Sequence, residues 1–254
     1  MARKYGRNRD FHDVRDQTFH LARTQPWPIR VDYSASCDKV LDQQNWGSCT
    51  GHAGAGVAGW IARHYLKQPL SFSPAYLYDQ ERIIEGTFPQ DAGAQIRTIC
   101  KAIVSKGMVF ENAYPYTAGD LTTAPTPEIE AVAWRELGAY HRLARAEDVI
   151  SCLGDAVPWP VLLGFTVYQS FESNATASSG VMPIPGPNEM MLGGHAVMCI
   201  GYDLDKQAVL CRNSWGPGWG LEGNFWMSLS VVDDPTTDKW IIHRGASWKP
   251  KTNL

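Results

Sequence analysis

Gln43-Gln44-Asn45-Trp46-Gly47-Ser48-Cys49-Thr50-Gly51-His52-Ala53 sets one cysteine just after a Gly-Ser turn and just before a run rich in alanine and glycine. Three readings compete for Cys49: a small buried hydrophobe, a metal or disulfide ligand, and a nucleophile. A lone cysteine is most often the first. The residues around it and their partners elsewhere in the chain separate the three.

From Cys49 to about Leu66 the spacing of Val57, Trp60, Ile61, His64 and Tyr65 predicts a helix, with Ser48 as its N-cap. Gly51, Gly54, Gly56 and Gly59 each weaken that helix by roughly 1 kcal/mol relative to alanine. It must therefore be packed on several sides, its small residues letting other backbones approach, as in a helix through the middle of the protein. Ser73-Pro74 opens a second helix that Gly86 ends, and a third runs from Ala94 to about Lys106 and stops at Gly107. The loop region from Gly107 to Pro127 contains Ala113-Tyr114-Pro115-Tyr116 and the polar stretch TTAPTPE, and a lobe boundary is expected there. A short helix around Glu147–Leu153 precedes strand-like runs at Val161–Val167, Ala196–Tyr202, Ala208–Arg212 and Asn224–Ser228. The first half is thus mainly helical and the second mainly β, with no internal repeat.

Composition narrows the function classes. A chain of 254 residues can bury a substantial core, and 44% apolar with 19% charged residues argues against global disorder. A net charge of −3 supplies no basic surface for nucleic acid. The longest apolar run, Val157 to Val167, is too short to span a bilayer and is interrupted by proline. The basic start MARKYGRNRDFHDVRD has no apolar stretch behind it, so no signal peptide is seen. The six cysteines include no C-x-x-C pair, which argues against a zinc ribbon or a thioredoxin-type site and for mostly reduced thiols. His52 and His64 share the Cys49 helix without a second ligand pair, so no metal is expected. The sequon Asn174-Ala175-Thr176 reads as chance.

One hairpin carries more. The strands holding His195 and Asn213 are joined by Asp203-Leu204-Asp205-Lys206-Gln207. A turn centred on Leu204 would put His195 opposite Asn213, at the roughly 5 Å that lets an imidazole meet a carboxamide. The same pairing brings Cys199 and Cys211 near each other, as a possible bridge or as two apolar strand positions.

Gln43, Cys49, His195 and Asn213 then form a chemical set. A thiol at a helix N-terminus feels the positive end of the dipole, and a nearby imidazole favours thiolate further and can protonate a leaving amine. An Asn on the far ring nitrogen fixes tautomer and orientation. Gln43, with the Cys49 amide, can donate to an oxyanion. Acyl transfer through a thioester needs these parts.

At these residues the chain resembles the papain-like cysteine peptidases, in their compact bacterial and archaeal branch. QQNWGSC is similar to the family's Gln-to-Cys segment, and Gly193-Gly194-His195-Ala196-Val197 with Gly201-Tyr202-Asp203 to its histidine segment. Asn213-Ser214-Trp215-Gly216-Pro217-Gly218-Trp219-Gly220 is close to its long asparagine signature. Val31-Asp32-Tyr33 resembles the mature start, and Tyr114-Pro115-Tyr116 the family's Tyr-Pro-Tyr. Branch features are Asp91 to Arg97, Gly164 to Tyr168, Gly223 to Met227 and the closing Asp238-Lys239-Trp240-Ile241-Ile242. Trp46 and Asp91 stand where the family often has a disulfide, Thr50 replaces an aromatic, and a long pro-segment is missing.

The resemblance implies an α+β fold of two lobes, one helical and one antiparallel and β-barrel-like, with the active-site cleft between them. An N-terminal arm or short pro-segment is expected over 1–24 and the peptidase domain over 25–254. Its helical lobe would run over about 40–125, and its β lobe over about 126–254 with 25–39. The arm would plug the cleft or brace the β lobe. The resemblance makes Cys49 the nucleophile, His195 the acid and base, Asn213 its orienter and Gln43 the oxyanion donor, in a thiol endopeptidase. It also puts Trp215 over the Asn213–His195 bond. Gly93, Ala94, Gly164, Gly193, Gly194, Ala196 and Trp215 are expected to bind substrate, with Gly164, Gly193 and Ala196 around a pocket roomy enough for a bulky apolar side chain. The segment Glu172 to Leu192 is expected either to overhang the cleft or to form a disordered loop. No cofactor is implied; the partner is a protein or peptide substrate, with neither nucleic acid nor membrane, and the protein itself is expected to be a monomer. The compartment expected is the cytoplasm, or export without a signal peptide. A transamidase or ligase would share the same core, and a peptide-binding scaffold blocked by the arm is the non-catalytic alternative.

Overall fold

A computed structural model of the chain describes residues 3–19, 26–116 and 121–244. Residues 1–2 and 20–24 of the expected arm, residue 25, residues 117–120 and the last ten positions lie outside the described residues. Two short strands come first, β1 (Arg7–Asn8) and β2 (Arg30–Asp32). Helices α1 (Cys49–Leu66) and α2 (Pro74–Glu85), strand β3 (Ala94–Gln95), and helices α3 (Ile96–Lys106) and α4 (Pro127–Ala131) follow. The second half holds β4 (Ala139–Arg142), α5 (Ala146–Gly154), β5 (Val161–Tyr168), α6 (Asn174–Ser179), β6 (Met191–Asp203), β7 (Ala208–Arg212), β8 (Asn224–Ser228), α7 (Leu229–Val232) and β9 (Asp238–His243).

Helix α1 is buried along most of its length, between α2 and α3 on one side and β5 and β6 on the other. Its low-propensity glycines are the condition for that packing. A Cβ on Gly51 would lie 2.6 Å from the Pro74 carbonyl oxygen, so glycine lets α2 come up to the α1 backbone. Ser73 caps α2 through a 3.0 Å bond from the Tyr76 amide, and Gly86 closes it in the left-handed conformation. Ser48 makes no side-chain cap on α1. Its hydroxyl is taken instead by His52 Nδ1 at 3.3 Å and Tyr116 Oη at 2.9 Å.

The β half is a seven-stranded antiparallel sheet in the order β4-β9-β5-β6-β7-β8, with β2 also on β6. Alternating burial along β5 to β9 is absent because both faces are largely covered. The β6–β7 register differs from the expected one. Cys199 faces Cys211 and Met198 faces Arg212, and a bulge between Cys199 and Gly201 resets the ladder toward the turn. Asn213 lies just beyond the end of β7 rather than opposite His195. Cys199 and Cys211 are both free and buried, as apolar strand positions.

Three further differences concern elements. Ala94 and Gln95 are not the first turn of α3 but a strand paired in parallel with β1. Strands β4 and β9 were not separable from loop in the sequence, and β9 sits centrally between β4 and β5. The Glu172–Leu192 segment is structured at its start, where Ser173 caps α6 through the Thr176 amide at 3.1 Å.

Candidate active site

Cys49 is the first residue of α1 and has no solvent exposure. Its thiol lies by the backbone amides of Ala196, Gly6 and Thr50, and Ala196 is the residue after His195. Strand β6 thus brings the imidazole to the helix start. Desolvation dominates the thiol, pushing it up to about 11 against the smaller opposing pull of those amides. Burial likewise brings His195 down to about 4, although its bond to Asn213 acts the other way. Burial thus opposes the thiolate that the helix dipole favours.

His195 Nε2 is 2.8 Å from Asn213 Oδ1. The Ser214 backbone N–H donates to that same atom, also at 2.8 Å, which identifies it as the carboxamide oxygen. Nε2 must therefore carry the ring proton, and Nδ1 keeps a lone pair. Nδ1 is buried and has no hydrogen-bond partner among the described residues. Trp215 stacks on the imidazole at 4.9 Å between centroids and 28°. Phe165 meets the ring edge-on at 5.8 Å.

Gln43 is held at both ends of its side chain. Oε1 accepts from Ser214 Oγ at 2.7 Å, and Nε2 donates to the Trp46 carbonyl at 2.9 Å and, at 3.4 Å, to the Lys4 carbonyl. Tyr116 Oη donates to the Gln43 carbonyl at 2.7 Å. Asp91, which stands where the resemblance implies a half-cystine, fastens the same loop by other means. Its Oδ1 accepts from the Gly47 amide at 3.0 Å and from Tyr78 Oη at 2.6 Å.

Residues 3–8 run across the cleft. Arg3 covers the Trp215 ring with its guanidinium carbon 4.1 Å from the centroid, and Lys4 pairs with Asp91 at 2.8 Å. Tyr5 meets the His195 ring edge-on at 6.3 Å and bonds Glu172 through its hydroxyl. The Gly6 carbonyl accepts from Ala94 N at 2.7 Å. Gly93, at φ +71°, turns the cleft wall so tightly against Gly6 that a Cβ there would collide with the Gly6 backbone. Arg7 and Asp10 are buried beyond.

The expected substrate wall is therefore in contact with the arm. Gly93 and Ala94 meet Gly6, Gly193 meets Tyr5, and Gly164 and Gly194 meet Arg7. Ala196 lies by the Cys49 thiol and Trp215 under Arg3. Sequence reasoning missed Ser214 and Tyr116 as supports of Gln43, although both sit inside the quoted motifs. It also missed Tyr5, Arg7, Asp10 and Asp238, whose partners lie far away in the chain. No group of three or more His, Cys, Asp or Glu suited to a metal occurs among the described residues.

Comparison with known proteins gives a consistent picture. The profile described as papain family cysteine protease matches residues 27–237. A peptidase C1-like protein of Acanthamoeba polyphaga mimivirus is 33% identical over 218 residues, 80% of this chain and 68% of its own length. A cathepsin B-like protein of Giardia intestinalis is 26% identical over 210 residues, 78% of this chain and 66% of its own. Among solved structures, xylellain, a cysteine protease from Xylella fastidiosa, superimposes with a TM-score of 0.87 at 30% identity, covering 97% of this chain and 99% of that one.

Proposed function

The chain belongs to the papain family of cysteine proteases, and from that membership we propose that it hydrolyses peptide bonds through a thioester on Cys49. His195 Nδ1 takes the thiol proton and the sulfur attacks the scissile carbonyl carbon. The resulting oxyanion is held by Gln43 Nε2 and the Cys49 amide. His195 then protonates the leaving amine, and the carbonyl re-forms as the thioester. Water, giving its proton to Nδ1, attacks the thioester and releases the acid and the thiol. Asn213 keeps the ring proton on Nε2 throughout, and Trp215 shields that bond from water.

The observation that carries this reading is the pair of donors on Asn213 Oδ1, which leaves a buried, unpartnered lone pair on His195 Nδ1. A merely structural histidine in a core would have that nitrogen satisfied. The test is covalent labelling of the Arg7→Gly chain, whose arm loses its buried anchor, by an epoxide thiol inhibitor mapped by peptide mass spectrometry. An adduct on Cys49, lost in His195→Ala, supports the reading; a Cys49 no more reactive than the other buried thiols sinks it.

The arm adds a second element. Cys49 has no exposure and the Gly6 backbone of the arm lies at its thiol, so we infer that the chain with the arm in place is latent, and that catalysis needs the arm displaced or cut. A permanently blocked scaffold would share this geometry. It differs in showing no peptide turnover once the arm is loosened.

A further inference from the structure

His52 is a buried histidine that the proposed reaction does not touch, one helical turn beyond Cys49. Its Nδ1 lies 2.8 Å from the Ser48 carbonyl oxygen. A carbonyl can only accept, so Nδ1 carries a proton and donates it there. The His52 backbone N–H donates to the same oxygen at 3.1 Å, as the first hydrogen bond of α1. That carbonyl and the Cys49 N–H belong to one peptide unit, and the Cys49 N–H is one of the two donors proposed for the oxyanion. His52 therefore grips the oxyanion-hole peptide from its far side, with main chain and side chain together.

The grip continues to the other donor. Tyr116 Oη gives its only proton to the Gln43 carbonyl at 2.7 Å, so in its 2.9 Å bond with Ser48 Oγ it must accept. Ser48 Oγ in turn accepts, at 3.3 Å, from the same Nδ1–H. Every proton in the row then points one way: His52 to Ser48, Ser48 to Tyr116, Tyr116 to Gln43. The His52 and Tyr116 rings meet edge-on at 4.6 Å between centroids, which holds both in place. Bonds aligned head to tail polarise one another, and a carbonyl that accepts strongly makes the N–H of its own peptide unit a stronger donor. Burial brings the His52 ring down to about 4, against the weaker opposing pull of Ser48 and Asp42. Near neutral pH it thus acts as a fixed dipole rather than as a charge.

We propose that His52 is a positioning residue for the oxyanion hole: through Ser48 and Tyr116 it orients the Cys49 amide and the Gln43 main chain, and it strengthens that amide as a donor. The proposal rests on the reading of this cleft as a peptidase site.

The test uses the full chain carrying Arg7→Gly, in which the arm loses its buried anchor. Adding His52→Phe keeps a ring against Tyr116 and removes the N–H. It should lower kcat by about tenfold with KM within about twofold, a fraction of the loss of about a hundred- to a thousandfold when an oxyanion donor is deleted outright. A peptide aldehyde, whose oxygen takes the oxyanion's place once the Cys49 sulfur has added to its carbonyl carbon, should bind more weakly by about the same factor. Reaction of Cys49 with dipyridyl disulfide, which builds a mixed disulfide and no oxyanion, should stay within about twofold. His52→Asn, whose side-chain N–H falls near the place of Nδ1, should restore most of kcat. Should His52→Phe fail to fold, Tyr116→Phe cuts the row at its other end and should show the same split. Unchanged kcat and aldehyde affinity in the variant that folds overturn the positioning role and leave the peptidase intact. Equal losses in kcat and in disulfide reactivity do the same, as does a His52→Asn chain no faster than His52→Phe. Absence of peptide turnover in the Arg7→Gly chain itself overturns the peptidase reading and this role with it.

Discussion

Ser214 Oγ donates to Gln43 Oε1 at 2.7 Å, and this one bond decides which way the Gln43 carboxamide faces. With its oxygen tied to the residue next to Asn213, its nitrogen turns toward the cleft, where it now meets the Lys4 carbonyl. Ser214 therefore supports both proposed polar groups, Gln43 by its hydroxyl and Asn213 by its amide. In the Arg7→Gly chain, whose arm is loosened, adding Ser214→Ala should lower kcat by about tenfold, with a smaller change in KM, because a loosened oxyanion donor matters most in the transition state. Epoxide labelling of Cys49 should change little. Unchanged kcat would remove Gln43 orientation from the account.

Arg7 is the buried anchor of the arm. Arg7→Gly should speed alkylation of Cys49 by iodoacetamide at pH 7.5 on the order of a hundredfold, because breaking a buried pair raises the population of the open cleft. Mass spectrometry of the other buried thiols controls for global unfolding. In the parent chain the rate should still be climbing past pH 9, since burial holds the Cys49 thiol up to about 11 and only the thiolate reacts. A plateau near neutral pH in the parent chain would show that the arm does not seal the site.

The pH dependence of stability has a definite sign at His195. Its pKa falls from 6.5 to about 4 on folding. Between those values the unfolded chain binds the proton and the folded one does not, so this residue's contribution is full above pH 6.5 and is lost as pH falls toward 4. His195→Gln removes the effect while Asp10, whose buried carboxyl is raised to about 6 and acts in the opposite sense, is common to both chains. The stability lost between pH 7 and pH 5, measured by urea unfolding, should be smaller in the variant by about 2 kcal/mol. Equal losses would mean that the imidazole is protonated in the folded chain.

Gly51→Ala tests the packing of α1. In an exposed helix this change stabilises by about 1 kcal/mol. Here the new Cβ would meet the Pro74 oxygen at 2.6 Å and the Tyr78 amide at 3.0 Å, both backbone atoms that cannot swing aside. The variant should be destabilised by about 1–3 kcal/mol, the range for overpacking. A gain in thermal stability would show that α1 and α2 have room to part.

Much of the protein is legible in local residue order. The capping serine and terminal glycine of α2 need only their neighbours, and the glycine-rich face of α1 announces a buried helix because nothing else would hold it. Gln43, Cys49, His195 and Asn213 lie in stretches whose residue types carry a recognisable chemistry, and the structure brings all four to one cleft. What local order could not decide depends on partners distant along the chain. Ala94 and Gln95 read as helix until β1 arrives to pair with them. The β6–β7 register departs from the expected one because Asp203 pairs with Ala208 across a turn centred beyond Leu204, and a bulge between Cys199 and Gly201 then shifts it again, neither of which any periodicity marks. Asp238 is one acid among many in the sequence; only the tertiary fold brings it Arg7 and the Asp10 amide as buried partners. The arm across the cleft belongs to the same class. Its side chains carry no motif, and their meaning comes from buried partners that folding alone supplies.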